Sequence, residues 1–61
     1  MKVGDLIRDK EYPEDIGVVM KTREESNGDK AYKILDVYGE IMWFSGYYIE
    51  NGCELVYKSL E

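Results

Sequence analysis

The amino-acid sequence predicts a small all-β domain, and three observations support this fold class. Short runs rich in β-branched and aromatic residues are separated by turn residues along the chain. Within residues 16–45, Asn27-Gly28 and Gly39-Glu40 stand where a strand pattern reverses. With these two turns, each of the two hairpins places its apolar side chains on one face, and that face is the same for both. We therefore expect a central three-stranded antiparallel meander.

The two turns set the predicted strand register. Asn27-Gly28 accepts positive φ at both central positions of a type I′ turn, and Gly39 suits the first central position of a type II′ turn. This register pairs Val18 with Val37 across the first hairpin. The predicted core face consists of Ile16, Val18, Met20, Leu35, Val37, Met42 and Phe44.

The opposite face of the same three strands is not plainly polar. It consists of Val19, Lys21, Arg23, Tyr32, Ile34, Asp36, Tyr38, Ile41 and Trp43. A sheet with one solvated side shows a cleaner alternation of apolar and polar residues. We therefore expect the rest of the chain to cover part of this second face, or a partner to contact it.

Two further strands flank the meander, at residues 3–8 and 53–57. Residues 9–15 form a charged loop after the first strand, and residues 46–52 have room for one helical turn before the last strand. The prediction is a single domain over residues 1–61, with five strands and one helical turn before the last of them.

Composition limits the classes of function. The chain has 61 residues, with 13 acidic and 8 basic side chains and a formal net charge of −5, which disfavours binding to a phosphate backbone. The acidic excess suits a basic partner or serves solubility alone. A single cysteine excludes an intramolecular disulfide, and no apolar run approaches the ~20 residues that span a bilayer. We therefore expect a cytoplasmic protein without membrane contact.

The side chains that carry chemistry are sparse. The chain has no histidine, the commonest general base and metal ligand, so we expect no catalytic residue, no cofactor and no enzymatic activity. Cys53 has no basic neighbour in sequence and is expected to be a small core residue. Glu11, Glu14 and Asp15 lack the alternating spacing of a calcium loop, so we expect no metal site.

Two segments carry a resemblance to known proteins. Val3–Arg8 followed by Ile16–Val19 resembles the opening of KOW and Tudor-type barrels, with a Gly-Asp pair in the first strand and a Gly-Val step in the second. Ile41–Phe44 followed by Cys53–Val56 is similar to the end of small phage-encoded SH3-like proteins of unassigned role. The resemblance implies a five-stranded SH3-like small barrel, and for a phage protein a place in the host cytoplasm. An OB-type barrel is the structural alternative, although it normally needs a longer chain.

The sequence also departs from these relatives. Its acidic charge differs from the basic surface of KOW modules that bind nucleic acid, and the ALYDY-type segment of peptide-binding SH3 domains is missing. No list of functional residues is therefore transferred from them.

Aromatic residues provide the remaining functional signal, with six tyrosines, one tryptophan and one phenylalanine. In SH3-like barrels the first long loop and the last turn border a shallow groove, and tyrosine and tryptophan recur as interface anchors. The predicted binding residues are Tyr12, Trp43, Tyr47, Tyr48, Glu14 and Asp15. The alternative is that these rings fill the ends of a small barrel.

Three functional hypotheses follow. The first is a binding module that docks a protein or peptide partner, basic or proline-containing, in an aromatic and acidic groove. The second is a nucleic-acid accessory that uses Arg8, Lys10, Lys21, Arg23, Lys30 and Lys33, although neighbouring acids reduce the gain from counterion release. The third is a structural subunit, monomeric or weakly homo-oligomeric, that self-associates through the second sheet face.

Overall fold

The computed structural model describes residues 1–58, and the predicted domain's last residues, 59–61, lie outside them. The strands are β1 (Leu6–Asp9), β2 (Ile16–Glu24), β3 (Lys30–Asp36), β4 (Ile41–Ser45) and β5 (Cys53–Tyr57), and a π-helical turn, Tyr48–Gly52, precedes β5. They form one antiparallel sheet in the order β4-β3-β2-β1-β5. The all-β class with five strands is confirmed. A closed barrel is not seen, because β4 and β5 are the two edges of the described sheet.

The first hairpin has a three-residue loop. The Glu25 N–H donates to the Asp29 carbonyl oxygen at 2.6 Å, and the Gly28 N–H donates to the Glu25 carbonyl oxygen at 2.9 Å. Gly28 has a φ of 90°, whereas no non-glycine residue of the described chain has a positive φ. The predicted type I′ turn is therefore wrong, since it needs positive φ at Asn27 as well. The geometry is that of a loop whose last residue is a left-handed glycine.

The second hairpin repeats this geometry. The Asp36 N–H donates to the Glu40 carbonyl oxygen at 2.9 Å, and Gly39, with a φ of 83°, is the third residue of the loop. The Asp36 carboxylate accepts hydrogen bonds from the N–H groups of Tyr38 and Glu40, each at 2.9 Å. The predicted type II′ turn centred on Gly39 and Glu40 is wrong, because both hairpins have three-residue loops.

These loops change the register of the meander. Val18 lies opposite Leu35 instead of Val37, and Leu35 lies opposite Ile41. An extra residue in β2, Met20, shifts the register again between the two ends of the hairpin. At Val18 the shift is two residues, so Val18 and Leu35 still share a face, whereas β4 shifts by three residues. Because side chains alternate between faces, this odd shift places Ile41 instead of Phe44 on the face of Leu35.

Within the meander, the fully buried residues of β2 and β3 are ones that the sequence assigned to the second face. Val19 and Tyr32 are each 1% exposed and Ile34 is 5% exposed, whereas Val37 and Met42 are more than half exposed. The buried cluster consists of Ile7, Val19, Tyr32, Ile34, Ile49 and Cys53. The predicted core face is therefore wrong for Ile16, Val18, Met20, Leu35, Val37 and Met42, which lie outside this cluster, while Phe44 packs against it.

The helical turn covers one end of the buried cluster. Ile49 projects from it into the core and is 1% exposed. The Ser45 hydroxyl accepts a hydrogen bond from the Tyr48 N–H at 3.2 Å, which helps to satisfy the start of the turn. The rings of Phe44 and Tyr48 lie 5.5 Å apart, so the turn is held to β4 by aromatic contact as well.

Because Val19 is buried and Val37 is exposed, replacing each valine with alanine should change the stability of the protein by different amounts. Val19→Ala opens a cavity in the core and lowers the free energy of unfolding by about 2–3 kcal/mol. Val37→Ala removes the same atoms from an exposed loop and changes stability by less than about 0.5 kcal/mol. Urea denaturation measures both values. An equal loss for the two variants would contradict the register described here.

Candidate binding cleft

A cleft of about 170 Å³ opens on the core side of the sheet. It lies where β1, the start of β2, the loop after β3 and the helical turn meet. Its floor is apolar and includes Ile7, Ile34 and Ile49 from the buried cluster. The more exposed lining residues are Arg8, Asp15, Ile16, Asp36, Val37, Tyr38, Phe44 and Tyr48. The cleft therefore leads from a polar and aromatic rim to the hydrophobic core.

Asp9, at the end of β1, organises one side of this cleft. Its Oδ1 accepts hydrogen bonds from the N–H groups of Glu11 at 2.7 Å and Tyr12 at 3.0 Å. Its Oδ2 accepts a hydrogen bond from the Tyr48 hydroxyl at 2.5 Å. The Asp9 N–H in turn donates to the Asp15 carbonyl oxygen at 2.9 Å. One aspartate thus fixes both the first loop and the helical turn.

The shared hydrogen bond shifts the pKa of both partners. Donation from the Tyr48 hydroxyl lowers the pKa of Asp9, and the two loop N–H groups act in the same direction. The pKa of Tyr48 is raised, first by the bond to Asp9 and then by burial. The carboxylate and the neutral phenol are therefore the stable pair near neutral pH.

Cys53 is buried in the core, as expected from the sequence. Burial is the largest cause that raises the pKa of its thiol. Burial and the Glu50 carboxylate likewise raise the pKa of Tyr32. These groups are neutral at physiological pH, so Cys53 does not supply a thiolate to the cleft.

Two of the six predicted binding residues, Asp15 and Tyr48, line this cleft together. Tyr12 and Glu14 lie in the first loop, are exposed, and are not among the lining residues. Tyr47 is 81% exposed and borders a separate depression beside Lys30 and Glu50.

Trp43 lies on the opposite side of the sheet from the cleft. It stands directly across from Lys33, and the Arg23 guanidinium carbon lies 4.3 Å from the centre of its ring. The predicted groove therefore does not include Trp43. Sequence reasoning missed Asp36 and Tyr38, which border the cleft because the loop after β3 turns towards it.

The charges at the rim differ in how they are compensated. Arg8 pairs with Glu54, with 2.7 Å between Nε and Oε2. The Asp36 Oδ1 accepts the N–H groups of Tyr38 and Glu40 within the loop after β3. Within residues 1–58, the Asp15 carboxylate has no ion pair or side-chain hydrogen bond. The rim therefore presents acidic oxygens next to an apolar floor.

Comparisons with known proteins do not assign the chain to a family. No family model, curated protein or solved structure matches it significantly. Across the described residues, histidine, cysteine and acidic side chains form no group of three or more that is placed to hold a metal ion. No helix in that part of the chain is long and apolar enough to cross a membrane. Function is therefore inferred from the geometry of the described residues.

Tyr48→Phe removes the hydroxyl that bonds to Asp9, and we expect the unfolding midpoint to fall by several degrees near neutral pH. This loss of stability depends on pH. A raised tyrosine pKa stabilises the fold below the unfolded value near 10.0, and this stabilisation is lost as pH rises through the folded pKa. The lowered pKa of Asp9 stabilises the fold above 3.8, and this stabilisation is lost as pH falls through the folded pKa. The difference in unfolding midpoint between wild type and variant therefore narrows at acid and at alkaline pH.

Thermal unfolding followed by circular dichroism across this pH range measures the gap. Tyr47→Phe is the matched control, because Tyr47 is exposed and its hydroxyl has no hydrogen bond within the described chain. A gap for Tyr48→Phe that stays constant from acid to alkaline pH would show that the bond is not formed.

Proposed function

We propose that the chain is a small, non-enzymatic binding module of the SH3-like kind that docks a peptide segment of a protein partner in the cleft. The observation that carries this proposal is the cleft itself, where acidic and aromatic side chains border an opening onto the apolar core. The long first loop, the β2-β3-β4 meander and the helical turn before β5 support the SH3-like grouping.

The volume of the cleft favours a peptide over a small metabolite. Small-molecule sites usually enclose about 300–1,000 Å³, and this cleft offers about 170 Å³. A space of this size suits one apolar side chain that projects from a longer segment. The rest of that segment would lie across the rim, where Tyr38 is 74% exposed.

The charges at the rim favour a basic residue beside the apolar anchor. Asp15 and Asp36 both border the cleft, and Arg8 is already paired with Glu54. A lysine or arginine of the ligand would meet carboxylates, whereas an acidic residue would be repelled. A basic partner is also one of the two explanations that the acidic composition left open.

The absence of catalysis is part of the proposal. The sequence contains no histidine, and the only thiol has a raised pKa because Cys53 is buried. A nucleophile needs a lowered pKa or an adjacent base. The side chains that border the cleft are therefore better suited to recognition than to bond breaking.

NMR titration of the ¹⁵N-labelled protein tests this proposal. The probe is a short peptide with one leucine next to an arginine, and its matched control has glutamate in place of the arginine. We expect shift changes at Gly17, Asp36 and Val37, which line the cleft, and weaker binding of the glutamate peptide. Shift changes confined to the opposite side of the sheet, around Trp43, would contradict the proposal.

Two exposed tyrosines provide a matched pair of variants for the same titration. Tyr38→Ala removes a ring from the rim, and we expect it to weaken binding of the arginine peptide roughly tenfold, about 1.4 kcal/mol. Tyr47→Ala removes an equally exposed ring outside the cleft and should leave affinity unchanged. For charge, Asp15→Asn at the cleft should weaken binding, and Glu14→Gln outside the cleft is its control. Equal effects within each pair would exclude the cleft as the binding site.

A further inference from the structure

The face of the sheet that points away from the buried cluster, here called the outer face, carries an unbroken apolar row. Pairing places these residues directly opposite one another from strand to strand, so their side chains share this face. Val18 lies opposite Leu35 at the centre, and Ile41 and Tyr57 end the row with exposures of 51% and 63%. From edge to edge the row is Tyr57, Leu6, Val18, Leu35 and Ile41.

A cationic cluster lies beside this row. Lys21 stands directly opposite Lys33 on the neighbouring strand, and Lys33 stands opposite Trp43. Like charges directly opposite each other destabilise an antiparallel pair. Arg23 pairs with Glu25 at 2.9 Å, but neither lysine has an ion pair within residues 1–58. The fold thus keeps an unfavourable lysine pair on the surface of a chain whose net charge is −5.

Arg23 adds a third cation to this cluster, beside Trp43. The Arg23 guanidinium carbon lies 4.3 Å from the centre of the Trp43 ring, although β3 runs between their two strands. Ala31 lies opposite Arg23 on β3, between the strands of Arg23 and Trp43, and is 5% exposed. One surface of the tryptophan ring is thereby occupied by a cation.

We propose that the outer face binds an acidic amphipathic helix of a partner protein. The apolar row crosses all five strands, a distance of about 19 Å at the usual spacing between strands. The apolar stripe of a helix of about 13 residues has this length. Carboxylates along the flank of that helix meet Lys21 and Lys33 and remove the repulsion between them.

Backbone hydrogen bonding favours a helix over an extended segment. An extended peptide finds backbone partners at the edge of a sheet, whereas one laid across its face leaves its N–H and C=O groups unpaired. A helix satisfies these groups internally. A second copy of this chain offers no such helix within its described residues, since its helical segment is a single turn.

The arrangement also argues against a nucleic acid as the occupant. Bases stack on open aromatic faces, and Arg23 already covers one surface of the Trp43 ring. The aromatic residue of the row, Tyr57, lies at the opposite edge of the sheet from Trp43. Two unpaired lysines in a chain of net charge −5 release few counterions from a phosphate backbone.

Emission from Trp43, the single tryptophan of the chain, reports binding at this face without a label. The probe is a helical peptide of about 18 residues, five turns, with leucine on one face and glutamate on the other. Its matched control carries lysine in place of every glutamate. We expect saturable binding of the glutamate peptide and at least tenfold weaker binding of the lysine peptide.

Lys33→Glu separates binding from folding. It replaces the lysine pair with an opposite-charge pair, so we expect the unfolding midpoint to rise. Affinity for the glutamate peptide falls about tenfold, and affinity for the lysine peptide rises. Lys10→Glu makes the same charge change in the first loop and leaves both affinities near those of the wild type. Equal effects of the two variants would overturn the proposal.

Tighter binding of an oligodeoxythymidine than of the glutamate peptide would also overturn it. So would self-association in sedimentation that Lys33→Glu abolishes.

Discussion

The Asp9 carboxylate is the constraint on which the shape of the cleft depends. It accepts the N–H groups of Glu11 and Tyr12 at one oxygen and the Tyr48 hydroxyl at the other. The first loop and the helical turn contribute walls of the cleft, and neither belongs to the regular hydrogen bonding of the sheet. Without this carboxylate, each segment would lose its side-chain hydrogen bonds to the end of β1 and keep only backbone bonds there.

The same small core serves stability and the proposed recognition. Tyr32, Ile49 and Val19 are the largest fully buried side chains, and a chain of this length has few others to spare. Ile34 and Ile49 belong to the buried cluster and also line the cleft. An apolar ligand side chain in the cleft would therefore extend the core, so that ligand binding and resistance to unfolding are coupled.

Sequence reasoning predicted the strands and the helical turn but assigned the faces of β2 and β3 wrongly. Both faces of these strands are apolar, since Val18 and Val19 are adjacent, as are Ile34 and Leu35. Alternation alone therefore does not select the inward face of β2 and β3, which is the face that packs with Ile7, Ile49 and Cys53 from other parts of the chain. The first predicted turn lies within the observed loop, whereas the second was placed one residue too far along the chain. A two-residue loop was assumed where the loops have three residues.

One sequence signal for the correct register was present. Gly28 and Gly39 are each followed directly by an acidic residue that pairs with the residue before the loop, and both glycines take the left-handed position of a three-residue loop. The extra residue at Met20 has no comparable signal, because a methionine fits either face. The bond between Asp9 and Tyr48 joins residues 39 positions apart, a distance over which local pattern carries no information.

The corrected register also changes how charge is distributed. In a strand, residues 21 and 23 share a face, so Lys21 and Arg23 lie together on the outer face with Lys33, away from the core side that bears the cleft. Asp15 and Asp36 border that cleft instead. A chain that looks uniformly acidic by composition thus has a cationic outer face and an acidic cleft. Because local charge selects a partner more strongly than net charge does, the two sides of this sheet are suited to ligands of opposite sign.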